Sequence, residues 1–181
     1  MRVISGEARG RRLIAPRGLS TRPTSDRVRE TVFDVLAFRW NGGRVLDVFA
    51  GTGALGIEAL SRGAEAAVFV ENQAEALQAV AANIKACRFE PRATVRRGDF
   101  RHVLKMLSVH GERFSLVFVD PPYESGYYDE TISLLPPLLE KDAYVVLESV
   151  RGAPPPSVPE EWMLYRQRTI GHTLISIYHY A

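Results

Sequence analysis

With one cysteine, Cys87, in 181 residues, the chain can form neither an intramolecular disulfide nor a cysteine-based zinc cluster. Its four histidines, His102, His110, His172 and His179, share no metal-ligand spacing, so no metal is expected. No apolar run approaches the ~20 residues of a membrane span. The opening "MRVISGEARGRR" has no apolar stretch after its charges, so a signal peptide is not expected either. These absences point to a cytoplasmic protein. Lysine is scarce as well: Lys85, Lys105 and Lys141 stand beside 20 arginines.

The arginines that are present crowd one end. Residues 1–29 hold eight of them against only Glu7 and Asp26, a surplus of six positive charges in a chain whose net charge is +2. The remainder is therefore acidic. A basic arm on an acidic body suggests a polyanionic partner, and arginine suits bidentate phosphate contact better than lysine. At 46% hydrophobic, 181 residues suit one globular domain with a substantial core. Within it, residues 1–40 read as a basic hairpin-and-helix extension and 41–181 as the body. A monomer is expected.

The runs "RVISG" and "RRLIAP", around Gly6 and Gly10, read as an N-terminal β-hairpin. "RPTSDRVRETVFDVLAFR" reads as a helix capped by Thr24, Ser25 or Asp26, with Val28, Val32, Val35 and Leu36 on one face. From Val45 the chain alternates. Strands "VLDVF", "AAVFVE", "ATVRR" and "SLVFVD" are separated by helices "ALGIEALSR", "QAEALQAVAANIKAC" (capped by Asn72) and "FRHVLKML". A broken helical stretch over 131–140 carries Pro136 and Pro137, and strand "AYVVLES" follows. After a proline-rich linker, "WMLYRQRTI" and "TLISIYHY" are joined by two residues, Gly171 and His172, so they must pair antiparallel. Apolar strands alternating with helices make a parallel sheet covered on both faces. The expected fold is α/β, a seven-stranded, mostly parallel sheet with its last strand antiparallel, plus the N-terminal hairpin and helix. That layout resembles class I (Rossmann-like) S-adenosylmethionine-dependent methyltransferases.

The stretch "VLDVFAGTGALGIEAL" contains G-x-G-x-x-G at Gly51, Gly53 and Gly56, with Glu71 about 20 residues on, which is also the dinucleotide fingerprint. Glycines let the backbone approach a ligand and present helix N-terminal N–H groups to it. The discriminating residue is Asp47, in the strand before the loop. A carboxylate near a pyrophosphate is repulsive by about 1–4 kcal/mol at effective dielectrics of 20–80. S-adenosylmethionine carries an ammonium and a cationic sulfur instead, so an acid there attracts. Asp47, Phe49, Gly51 and Gly53 resemble motif I of class I methyltransferases. A nicotinamide-binding loop or a ligand-free tight turn remain the alternatives at this point. Glu71 closes the second strand, where it can accept from ribose hydroxyls. Asp99 follows the third, where it can accept from an adenine amino group with Phe100 against the ring. Successive strand ends are where open α/β sheets bind ligands.

Asp120, Pro121, Pro122 and Tyr123 follow the fourth strand and match the D-P-P-Y motif of methyltransferases acting on exocyclic amino nitrogens of bases. An aromatic amine delocalises its lone pair and is a poor nucleophile. The Asp120 carboxylate and the Pro121 carbonyl can hold its two N–H groups and favour a pyramidal nitrogen. Prolines fix φ and remove donors, which stiffens the loop. Tyr123 can stack on a base extruded from its helix, a contact of about 1–3 kcal/mol.

With these residues in place, the sequence resembles the RsmD-type 16S ribosomal RNA guanine-N2 methyltransferases over nearly its whole length. "MRVISGEARGRRL" resembles that family's R-x-I-x-G-x-x-x-G-R-x-L, and "TRPTSDRVRETVFDVL" its R-P-T-x-D-x-x-R-E-x-x-F-x-x-L. The resemblance implies S-adenosyl-L-methionine as cofactor and methylation of one guanine N2 in 16S rRNA, on the small ribosomal subunit or an assembly intermediate. It implies Asp120, Pro121, Pro122 and Tyr123 as catalytic, and a cofactor site of Asp47, Phe49, Gly51, Thr52, Gly53, Glu71, Asn72, Asp99, Phe100 and Thr24. Contacts to RNA are expected from Arg2, Arg9, Arg11, Arg12, Arg22 and Arg29. The prolines at 136 and 137 depart from the continuous helix expected there. Two alternatives stand beside this reading: a DNA amino-methyltransferase, for whose target-recognition domain 181 residues leave no room, and a non-catalytic RNA-binding module of the same fold.

Overall fold

The computed structural model describes residues 1–15, 25–122 and 126–181. Ser25 caps the first helix, α1 (Asp26–Leu36), its side chain accepting from the N–H of Val28. The alternation then unfolds as β1 (Arg44–Asp47), α2 (Ala54–Ser61), β2 (Ala66–Glu71), α3 (Ala74–Cys87), β3 (Ala93–Arg97), α4 (Phe100–Val109), β4 (Phe114–Val119), α5 (Tyr127–Leu134), β5 (Leu139–Val150), β6 (Trp162–Ile170) and β7 (Thr173–Tyr180). The strands form one sheet in the order β3-β2-β1-β4-β5-β7-β6. Neighbours from β3 to β5 are parallel, and β7 runs antiparallel to both β5 and β6. The two-residue link at Gly171 and His172 sets Ile170 opposite Thr173, as the expected hairpin requires.

Strand residues alternate between two cores because successive side chains point to opposite faces. Leu116 and Phe118 of β4 join Val28, Val32 and Phe33 of α1, Ile57 and Leu60 of α2, and Val80 and Ile84 of α3. Val117 and Val119 face Val103, Leu104 and Leu107 of α4 and Ile132 beyond them in α5. Burial on both faces is why these strands are continuous apolar runs.

Three local expectations are revised. The N-terminal hairpin is shorter than expected: one antiparallel bridge, Arg2 to Arg12, with Val3 N–H donating to the Arg11 carbonyl, Gly10 N–H to the Val3 carbonyl and Leu13 N–H to the Met1 carbonyl. The backbone between its strands turns to the body instead: the N–H groups of Ile4 and Ser5 donate to the Glu58 carboxylate at 2.8 and 3.0 Å, and Glu7 N–H donates to the Ser61 carbonyl at 2.8 Å. The arm is docked on α2, and Gly6, at φ +83°, makes the contact possible because a Cβ there would lie 1.7 Å from that carbonyl. Asn72 does not cap α3. Gln73 occupies the cap position without a side-chain bond, and Glu71 Oε1 accepts the N–H groups of Asn72 and Gln73 instead. The broken helical stretch begins earlier than expected, at Tyr127, and ends at Leu134; Pro136–Leu138 form a separate 3-10 turn, since proline cannot donate within a helix. No helix among the described residues is long and apolar enough to cross a membrane.

Candidate active site at the carboxyl edge of the sheet

The strand order reverses between β1 and β4, and the crevice beyond the carboxyl ends at such a point is where open α/β sheets hold ligands. Chain pairing carries past β1 into the loop: Val48 N–H donates to the Phe118 carbonyl at 3.1 Å and Ala50 N–H to the Val70 carbonyl at 3.0 Å. Asp47 sits at the floor, 3% exposed, with Oδ2 accepting from Gly56 N–H at 3.1 Å. Burial pushes its carboxyl up to about 7; the Gly56 hydrogen bond opposes the rise and the charge of Glu71 adds to it.

The three glycines divide the work. Gly56 lets α2 lie against β2, since a Cβ would meet the Phe69 ring at 2.4 Å, and Gly53, at φ +75°, would meet Val80 at 2.6 Å. Gly51, at φ +53°, has open space where its Cβ would stand, so a ligand can come close to the backbone there. Its N–H donates to Glu71 Oε2 at 2.8 Å. Glu71 thus receives three backbone N–H groups, which leaves roughly one of its four acceptor positions for a ligand hydroxyl. Asn83, buried in α3, ties the loop from below: Nδ2 donates to the carbonyls of Thr52 and Ile14, and Oδ1 accepts from Ile14 N–H.

Asp99 caps α4 through Arg101 N–H and pairs with the Arg101 guanidinium at 2.9 Å. That guanidinium also forks onto Glu130 at 2.5 and 2.6 Å and lies over the rings of Phe100 and Tyr127. Phe49, Phe100 and Tyr127 form an aromatic cluster, Phe49 stacked on Tyr127 with an interplanar angle of 8°. Phe100 is 5% exposed. A planar ligand held by Asp99 would meet this cluster edge-on or across Phe49, which is half-buried.

Beside it, Asp120 is half-buried, Pro121 buried and Pro122 exposed. Tyr123, Thr24 and Arg22 lie outside the described residues. Val119, the last residue of β4, pairs with Leu147, so Asp120, just past β4, lies alongside Glu148, two residues before the end of β5. Tyr128 Oη donates to the Glu148 carbonyl at 2.5 Å, fastening α5 to β5.

Of the arginines expected on RNA, Arg2, Arg9, Arg11 and Arg12 are exposed on the docked arm. Arg29 is not: it is fully buried, donating to the Arg2 carbonyl at 2.6 Å and to Asp26 at 2.7 Å. Burial lowers its pKa against the pull of Asp26 and Glu58. Its place in the motif is structural, because a guanidinium sealed in the core cannot reach a phosphate. Glu58, Asn83, Arg101 and Glu148 were missed as site-shaping residues. Asn83 and Glu58 carried a usable signal, each being a polar residue inside an apolar helical run.

The donor set fits one kind of cofactor. Carboxylates end β1, β2 and β3 where a ligand would lie, suiting hydroxyls and a cationic amine and opposing a diphosphate. A family model described as "Conserved hypothetical protein 95" matches residues 1–179. A "Ribosomal RNA small subunit methyltransferase D" of Escherichia coli K12 is 38% identical over 184 residues, spanning 98% of this chain and 89% of that protein. A protein of the same name from Haemophilus influenzae is 31% identical over 182 residues, spanning 98% and 93%. A solved structure of a hypothetical protein from Thermus thermophilus superposes with a TM-score of 0.85 at 32% identity, covering 98% of each chain. The fold is that of a class I methyltransferase, and the chain belongs to the RsmD-type family.

Proposed function

We propose that the protein methylates the N2 amino group of one guanine in 16S rRNA, on the small ribosomal subunit or an assembly intermediate, with S-adenosyl-L-methionine as methyl donor. The observation that carries this reading is the meeting of two loops: hydrogen bonding between β1 and β4 places the Asp47 glycine loop and Asp120-Pro121 in one crevice. The chain acts as a single methyltransferase domain, with residues 1–40 as its RNA-contacting extension, in the cytoplasm.

Bound S-adenosylmethionine supplies an electrophilic methyl carbon on a cationic sulfur, which departs with the C–S electron pair as the amino nitrogen takes the methyl group. Asp47 would face the cofactor's ammonium end, Glu71 a ribose hydroxyl, and Asp99 the adenine amino group with Phe49 and Phe100 beside the ring. Thr52 and Asn72 would flank these through their backbone, and Thr24 is assigned to the cofactor by the family resemblance. Asp120 and the Pro121 carbonyl hold the two N–H groups of the target, and Tyr123 stacks on the base. The nitrogen's surplus proton passes to Asp120 or to water. Alignment of nitrogen, carbon and sulfur supplies most of the rate gain, so no strong base is needed. Arg2, Arg9, Arg11, Arg12 and Arg22 would steer phosphates.

Transfer of labelled methyl groups tests the reading. Small-subunit RNA or particles are expected to accept methyl and duplex DNA is not. Asp120→Ala is expected to lose at least about 100-fold in transfer while binding S-adenosylhomocysteine as the wild type does. Full activity of that variant, or preferential transfer to DNA, would overturn the assignment.

A further inference from the structure

Motif I and D-P-P-Y suit adenine as well as guanine, so something else must select the base. Between the start of α1, β5 and the β6–β7 turn, a cavity of about 220 Å³ is lined by Ser25, Arg27, Val28, Glu148, Ile170, Gly171 and Thr173. A single extruded base fits in such a volume. Glu148 is 5% exposed. Tyr144 and Val146 of the same strand pack on the α1 side, and strand alternation puts Glu148 on that side too. Its neighbour across the strand pair is Asp120, the residue placed on the target amino group. The Glu148 side chain lines this cavity, one strand across from Asp120.

We infer that Glu148 selects guanine, its carboxylate accepting the ring N1–H of the base whose N2 amino group Asp120 and the Pro121 carbonyl hold. The inference rests on the guanine-N2 reading above and deepens it. An ionised carboxylate accepts hydrogen bonds and donates none. Guanine presents N1–H beside its amino group, so both neighbours on one edge are donors. Adenine presents a lone pair at N1 beside its amino group, which would face the carboxylate and leave both without a partner. Extruded bases are read on this edge, and a site built to bond a particular N–H rejects the analogue that lacks it far more strongly than an apolar pocket rejects a missing methylene. Thr173 and Gly171 would lie along the far side of the base, and Arg27, exposed at the rim, near its phosphate.

The test replaces the mapped target guanine by 2,6-diaminopurine in otherwise identical small-subunit RNA. That base keeps the 2-amino group and has no hydrogen on N1. Wild-type protein is expected to lose at least about 100-fold in kcat/KM. In Glu148→Gln, whose amide can donate to N1 or accept from N1–H, the ratio between the two bases should narrow to within about tenfold, with S-adenosylhomocysteine affinity unchanged. Equal wild-type rates on the two bases would overturn the inference even if the variant does not fold, as would a Glu148→Gln protein that keeps the full ratio. If instead the wild type transfers nothing to the unmodified guanine, the guanine-N2 reading fails, and this inference falls with it.

Discussion

The two halves of the crevice are built differently. On the cofactor side the acids are already engaged: Asp47 with Gly56, Glu71 with three backbone N–H groups, Asp99 with Arg101. On the RNA side, Arg2, Arg9, Arg11 and Arg12 project from a backbone held by Glu58, Ser61 and Asn83. The first half is preorganised by its own hydrogen bonds, so a small ligand meets fixed acceptors. The second fixes the main chain and leaves its charges exposed, an arrangement that suits phosphates spread along a polymer.

Asp47 gives the sharpest way to break this comparison. Its carboxyl is raised from 3.8 to about 7 by burial, so between those values the folded protein holds a proton that the unfolded chain has released. Stability therefore falls as pH rises through that window, and the ionised carboxylate costs the ligand-free fold up to about 4 kcal/mol above it. Asp47→Asn is expected to unfold later in urea at pH 8, with the gain fading to nothing by about pH 4, and to bind S-adenosylhomocysteine at least tenfold more weakly. In the wild type, binding of that ligand through its ammonium group should weaken as pH drops below 7 and release a proton, measurable by calorimetry in buffers of different ionisation enthalpy. A variant that is less stable at pH 8, or that binds as before, would show that the acid serves packing rather than ligand.

Glu58→Ala probes the scaffold of the RNA half. It strands the N–H groups of Ile4 and Ser5 and the Arg62 guanidinium. A loss of about 2–4 kcal/mol in urea unfolding is expected, with the arm becoming sensitive to protease before the body does. Coincident cleavage of arm and body would contradict a separately docked arm. The smallest effects separate arginines. Arg9→Gln should weaken RNA binding and reduce the salt slope by about one counterion, without a change in stability. Arg29→Gln should destabilise the fold and leave the slope alone, because the guanidinium is sealed beside Arg2 and Asp26.

The body of the fold was legible in the sequence because its strands are buried on both faces and their runs are therefore uninterrupted. The residue pattern at the ends of β1, β2, β3 and β4 located the crevice for the same reason: a lone polar residue closing an apolar run has few places to be. The arm was read less well. "RVISG" and "RRLIAP" pair only over residues 1–3 and 10–13; the donors of Ile4, Ser5 and Ala8 are drawn to Glu58 and Ser61, residues more than 50 positions away, and no local pattern reports that. Arg29 sits in a charged string that looks solvated, and only the packing of α1 against Arg2 reveals its burial. Glu148 lies two residues inside the end of β5 like any late-strand polar residue; its place alongside Asp120 depends on strand order, which no local pattern reports.

The central claim is most directly tested by mass spectrometry of nucleosides from small-subunit RNA incubated with the protein and S-adenosylmethionine. The account predicts N2-methylguanosine at a single position, absent with Asp120→Ala. Methyl groups on adenine N6, or none on RNA while the cofactor still binds, would contradict it.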